Sequence, residues 1–199
     1  MAGSFDRYFT EAEEKQLFST VAQFQSLLAR RDLAWMRLFR ATGIRVGAMA
    51  QLTVAHARQA LKTDYLTLDA AIQKRDIAHR MLATKSCKKA LRSLLTIRRD
   101  MGYAETDDGF LIMSRKHKSM SVRSFQSRLT HWCHVAGLDI PASPHWFRHT
   151  VAKRIMKNST SKDPRGVAQG VLGHISGRST EIYTRPDKEE IEQTLREVC

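Results

Sequence analysis

The run His145-Trp146-Phe147-Arg148-His149-Thr150 packs two different demands into six residues. Phe147 is followed at helical spacing by Val151 and Ile155, an apolar stripe that predicts a core-facing helix. The polar residues His145, Arg148 and His149 are interleaved with that stripe. Pro141 and Pro144 punctuate the loop before it. Downstream stand Leu172-Gly173-His174 and then Tyr183, within Thr180-Glu181-Ile182-Tyr183-Thr184. Far upstream lies Thr42-Gly43-Ile44-Arg45.

The rest of the chain reads as helices around a small sheet. Thr10 with Glu13 is a capping-box pattern, followed by the stripe Leu17, Val21, Phe24, Leu27 and Leu28. A second helix is expected from near Asp32, carrying Trp35, Leu38 and Phe39 and stopping before Gly43. Val46 to Leu52 predicts a short helix. From Thr53 to Thr84 the pattern becomes extended, with strands expected at 65–68, at Ile72 and at 78–83. Helical period returns with Ala90, Leu91, Leu94, Leu95 and Met101. Residues 109–113 read as a short strand or extended turn. Val122, Phe125, Leu129, Trp132 and Ala136 mark another helix, closed by Gly137. Further short helices are expected at 167–172 and 179–183, and an acidic one at 187–198. The fold class is α+β, mostly α-helical with a small antiparallel β-sheet.

Composition narrows the functional classes. The chain has 199 residues, 42% hydrophobic and 27% charged, which suits one domain with a real core. Lys and Arg total 33 against 20 Asp and Glu, a net charge of +13 that points to a polyanion, most often nucleic acid. Basic residues concentrate between Lys74 and Arg99, between Arg115 and Arg128, and between Lys153 and Arg165. Acidic residues gather at the two ends, in Glu11, Glu13 and Glu14 and in Glu189, Glu190, Glu192 and Glu197. No stretch reaches the ~18 apolar residues that a bilayer span needs. The N-terminus lacks a signal-peptide pattern. Cys87, Cys133 and Cys199 are too few and scattered for a disulfide scaffold, so a reducing cytoplasm is expected. His131, Cys133 and His134 have no second pair at zinc-like spacing, and no phosphate-binding glycine loop occurs. No metal site and no cofactor are expected.

Arg45, a lysine in a basic hairpin, His145-x-x-Arg148, His174 and Tyr183 stand in one order along the chain. The set resembles the tyrosine recombinase, or phage integrase, family over roughly residues 10–190. The Leu-Gly-His context and the nine-residue step from His174 to Tyr183 are part of the likeness. Tyr8, Tyr65 and Tyr103 have no such context. The resemblance implies the tyrosine recombinase catalytic-domain fold and a DNA strand-transfer enzyme.

The chemistry explains why these residue types belong together. A phosphodiester is anionic and repels a nucleophile. Charge then grows on its nonbridging oxygens as attack proceeds. Arg45 and Arg148 would offer planar, permanently charged forks to those oxygens. A phenol titrates near 10, so Tyr183 must lose its proton as it attacks, with His145 as candidate base. His174 is assigned a hydrogen bond to a nonbridging oxygen. The resemblance implies a 3′-phosphotyrosyl intermediate, a free 5′-hydroxyl, and a hairpin lysine that protonates the leaving oxygen. Lys74 occupies that place, with Lys85 and Lys62 as fallbacks. His149 matches a supporting histidine after the arginine. Arg75, Lys85, Lys88, Lys116, Lys118 and Arg123 are the candidate DNA contacts.

Two features depart from the family pattern. Ala48 stands three residues after Arg45, where many members carry an acid. An N-terminal core-binding domain is missing, so only half of a DNA clamp is expected. Residues 1–9 read as an extension or cloning remnant, 10–186 as the catalytic domain, and 187–199 as a helix that docks on a protein surface. The expected partners are double-stranded DNA and further copies of the chain, from dimer to tetramer on DNA, with no membrane. The setting is a bacterial or phage-infected cell. A type IB topoisomerase and a non-catalytic DNA-binding module are the alternatives.

Overall fold

Thr10 opens the first helix as its spacing with Glu13 predicts. The Thr10 hydroxyl accepts from the Glu13 amide at 3.2 Å, and the Glu13 carboxylate accepts from the Thr10 amide at 2.9 Å. The computed structural model describes residues 8–73, 77–173 and 195–197. In chain order its elements are α1 (Glu11–Ala22), α2 (Leu27–Thr42), α3 (Val46–Gln51), α4 (Val54–Thr63), β1 (Tyr65–Leu68), β2 (His79–Leu82), α5 (Lys85–Asp100), α6 (Val122–Val135), α7 (Pro144–Asn158) and α8 (Pro164–Leu172). Residues 195–197 are helical. Lys74, Arg75, His174, Tyr183 and the helix expected at 179–183 lie outside the described residues, as does most of the acidic helix.

Three expectations are corrected. α2 starts at Leu27 rather than near Asp32, because Ser26 caps the Ala29 amide at 3.2 Å. The stripe that seemed continuous therefore belongs to two helices, and Phe24 falls between them, exposed, with its ring edge on Trp132. Residues 54–63 are helical rather than extended. Thr53 and His56 form a capping box there, and after Val54 the buried face is carried by the alanines Ala57 and Ala60, which give little hydrophobic contrast. Ile72 lies in a short 3-10 turn at Ala70–Ile72, so the sheet has only two strands, paired antiparallel from Tyr65 with Leu82 to Leu68 with His79. Residues 109–113 form an extended turn, one of the two readings expected, with Phe110 bridging to Thr53 and Met113 to Ser119.

α2 runs through the core. Trp35, Met36, Leu38 and Phe39 are fully buried on it. Phe125 of α6 stands edge-on to Trp35 at 5.1 Å between ring centroids, and Phe147 of α7 stacks on Phe39 at 5.9 Å. These rings set α6 and α7 against α2. Cys87 and Cys133 are buried small apolar residues, and burial pushes their thiols up to about 12 and about 11.

At the same junction sits a fully buried carboxylate. Asp32 Oδ1 accepts from Arg31 Nε at 3.0 Å, Arg31 Nη2 at 2.7 Å and Trp35 Nε1 at 3.0 Å. Its Oδ2 accepts from Arg128 Nε at 2.6 Å and Trp132 Nε1 at 2.9 Å. Removing one partner of such a pair strands the other charge in the interior. Asp32→Ala is therefore expected to cost roughly 3–5 kcal/mol and lower the melting temperature by about 10 °C, read by thermal denaturation.

Candidate active site

Each motif is placed by its apolar neighbours. Thr42 ends α2, and its hydroxyl donates back to the Leu38 carbonyl at 2.7 Å. Gly43 then turns left-handed at φ +61°, donating its amide to the Phe39 carbonyl at 2.7 Å. Ile44 is buried, which leaves Arg45, the N-cap residue of α3, half-buried at the surface. On α7, Trp146 and Phe147 enter the core while His145 stays exposed in the first turn. No acidic residue stands in that turn, so the positive end of the α7 dipole adds to the local field.

Arg45 and His145 line one open cleft of about 400 Å³. Gly47 and Gln51 of α3 form one wall, and Ile72 and Gln73 form another. Gln73 is the last described residue before Lys74. Ala48 also borders the cleft but is 2% exposed, so its side chain belongs to the core.

Arg148, one turn beyond His145, does something the sequence did not indicate. It is buried, and its Nη1 donates to the Gly43 carbonyl and its Nη2 to the Leu172 carbonyl, both at 2.7 Å. Both acceptors are helix-end carbonyls, which lack partners inside their helices and carry the negative pole of the dipole. The guanidinium thus braces the turn before Arg45 against the end of α8. Leu172 packs directly on Gly43: a Cβ at Gly43 would stand 2.7 Å from Leu172 Cδ2. The Thr-Gly-Ile-Arg and Leu-Gly-His motifs are therefore in contact. His149 is buried beside this brace, and the Thr150 hydroxyl donates to the Trp146 carbonyl at 2.8 Å.

The candidate DNA contacts divide into two groups. Lys116 and Lys118 are exposed on the turn closed by the Met113–Ser119 bridge. The Ser119 hydroxyl donates to the Ala50 carbonyl, which sets this turn beside α3. Arg123 is exposed in the first turn of α6. Lys85 and Lys88 begin α5, at the Tyr65–Leu82 end of the hairpin and away from Gln73. Lys88 is also paired with Asp64, and Lys62 ends α4 near the same place. The structure does not bring these three lysines to the cleft.

The brace has a measurable consequence. Arg148→Ala leaves two buried carbonyls without their donor, at about 1–3 kcal/mol for each unsatisfied group. Urea denaturation is expected to show a loss of roughly 2–6 kcal/mol for Arg148→Ala and under ~0.5 kcal/mol for Arg45→Ala at the half-buried position.

Comparisons with known proteins agree on one family. The model of the phage integrase family matches residues 7–190. Tyrosine recombinase XerC of Shewanella amazonensis (strain ATCC BAA-1098 / SB2B) is 31% identical over 161 residues, covering 80% of this chain and 50% of its own length. The chain thus spans about half the length of the curated relatives it matches. Among solved structures, the XerA recombinase superposes with a TM-score of 0.77 at 22% identity, over 99% of this chain and 65% of its own. The XerH site-specific recombinase bound to palindromic difH substrate gives a TM-score of 0.72 at 18% identity, over 96% and 53%. These two likenesses speak to the fold, and the family model speaks to descent: the chain belongs to the phage integrase family.

Proposed function

We propose that the chain is the catalytic domain of a site-specific DNA recombinase or integrase. The observation that carries this reading is the shared cleft: Arg45 and His145, far apart in the chain, border it together with Gln73, the residue that precedes Lys74. Arg45 would meet a nonbridging phosphate oxygen there, with His145 in reach of the attacking phenol. The Tyr183 oxygen bonds to phosphorus as its proton passes to His145, and the bond from phosphorus to the 5′-oxygen breaks. Lys74 gives that oxygen its proton, and His174 donates a hydrogen bond to a nonbridging oxygen. Arg148 holds the framework and adds its charge from below. The 3′-phosphotyrosyl bond keeps the energy of the phosphodiester, so a second 5′-hydroxyl can reverse the step without ATP or a metal ion. Lys116, Lys118 and Arg123 would carry the flanking duplex. Among the described residues no helix is long and apolar enough to cross a membrane. The reading places the chain on DNA in the cytoplasm.

The test is trapping on a nicked suicide substrate carrying the cognate site. A covalent adduct is expected, and Tyr183→Phe should abolish it. An adduct accompanied by relaxation of supercoils without strand exchange would instead indicate the topoisomerase reading. Binding without any adduct would indicate a DNA-binding module.

Self-association on DNA is part of the same proposal. Two adjoining cavities of about 620 and 600 Å³ follow α2 between α1 and α5, and both are lined by Arg37, Arg40 and Arg154. Arg40 and Arg154 share the single carboxylate of buried Glu14, which offsets only one of their two charges. Arg37 and Lys89 have no ion pair among the described residues, which leaves the groove cationic. It suits the acidic segment of a neighbouring copy, with Asp187, Glu189, Glu190, Glu192 and Glu197. Arg37→Glu combined with Lys89→Glu should weaken assembly on DNA as much as truncation after Pro186 does, measured by sedimentation of the protein–DNA complex. Unchanged assembly in both variants would remove the docking proposal.

A further inference from the structure

His79 joins two parts of the molecule that no motif connects. It stands on β2 opposite Leu68, at the end of the hairpin nearer Gln73. Its Nε2 lies 3.0 Å from the Val171 carbonyl oxygen, 92 positions away in the chain. A carbonyl can only accept, so Nε2 carries the proton and donates. The imidazole also lies flat against the turn that follows: a Cβ on Gly173 would stand 3.0 Å from Cγ and Nδ1 and 3.2 Å from Cε1. Gly173 itself is left-handed at φ +62°. Glycine is therefore required there twice, for its backbone angle and for the ring it must admit.

Val171 and Leu172 carry the last two carbonyls of α8. His79 holds the first from the hairpin side, and Arg148 holds the second from α7. The hairpin packs chiefly on α4, and this imidazole ties it to α8. The contact is half-buried rather than core, and a helix-end carbonyl released from it would find water. Its loss would cost alignment more than stability.

We propose that His79 is a positioning residue that locks the hairpin to the end of α8. The lock fixes β2, which follows Lys74 in the chain, relative to Gly173, which precedes His174. The value of this lock to strand cleavage rests on the recombinase reading above, whereas the lock itself does not. No contact with nucleophile or phosphate is assigned to His79. It acts by making two segments with separate roles move as one body.

Two variants isolate the hydrogen bond. His79→Phe keeps a ring against Gly173 and loses the N–H, whereas His79→Gln returns an amide N–H that reaches toward Val171. Amide hydrogen exchange tests the lock without requiring activity. In His79→Phe the Gly173 amide, which bonds back to α8, should exchange about tenfold faster, the worth of one hydrogen bond. In His79→Gln it should recover. Single-turnover adduct formation at saturating DNA tests the consequence. His79→Phe should slow it by about tenfold with DNA affinity and melting temperature unchanged, and His79→Gln should restore it. Unchanged exchange at Gly173 would overturn the proposal whatever the activity. Faster exchange with full cleavage would overturn its functional half. A wild-type chain that forms no adduct would refute the recombinase reading and leave the exchange result to decide the lock.

Discussion

Two helix ends and one guanidinium meet at Gly43, two residues before Arg45, and the arrangement of the site depends on that meeting. The C-terminal carbonyls of α2 and α8 both carry partial negative charge and would repel each other if left unpaired. Arg148 satisfies both at once. It can do so because Gly43 has no side chain, which lets Leu172 come into contact. A planar fork with fixed donor directions suits this task, and a lysine has no second arm to offer. The same buried charge would lie under a phosphate bound by Arg45. One residue thereby links the stability of the turn to the electrostatics of the site.

The core around this brace is built to hold α7 still. Phe39, Phe125 and Trp35 form an aromatic cluster on α2 and α6, and Phe147 stacks into it from α7. Asp32 gathers two arginines and two indoles behind that cluster, where each donor is spent on a single carboxylate. α7 is buried all round from Trp146 to Ala152, and its first turn presents His145 at the surface. The polar and apolar residues of the His145–Thr150 run are interleaved because the helix has both duties.

Much of this was legible in the sequence because caps and stripes are local. Thr10 with Glu13 marks a helix start, and Gly43 and Gly137 mark helix ends, without any knowledge of the fold. The grouping of Arg45 with His145 was legible through family likeness, and the cleft gives it a physical setting. α4 was missed because Ala57 and Ala60 bury a face with little contrast. The start of α2 was missed because apolar residues of two helices fell into one apparent stripe across Ser26. The double hydrogen bond of Arg148 was beyond reach, since the residue type that grips phosphate also grips carbonyls. His79 and the groove around Arg37 and Lys89 were beyond reach for a different reason. Their partners come from elements far apart in the chain, and no periodicity records such meetings.

The described chain begins with a contact whose mechanical meaning is easy to overlook. The Phe9 amide donates to the Thr150 hydroxyl at 3.0 Å, and the Phe9 ring wedges between Trp146 and Phe147. The first described residues are thus fastened to the helix that bears His145 and Arg148, across 141 positions of sequence. Tension applied upstream of Tyr8 would not dissipate in a slack tether. It would be delivered as torque to α7, so that a load on the front of the chain is felt at the cleft.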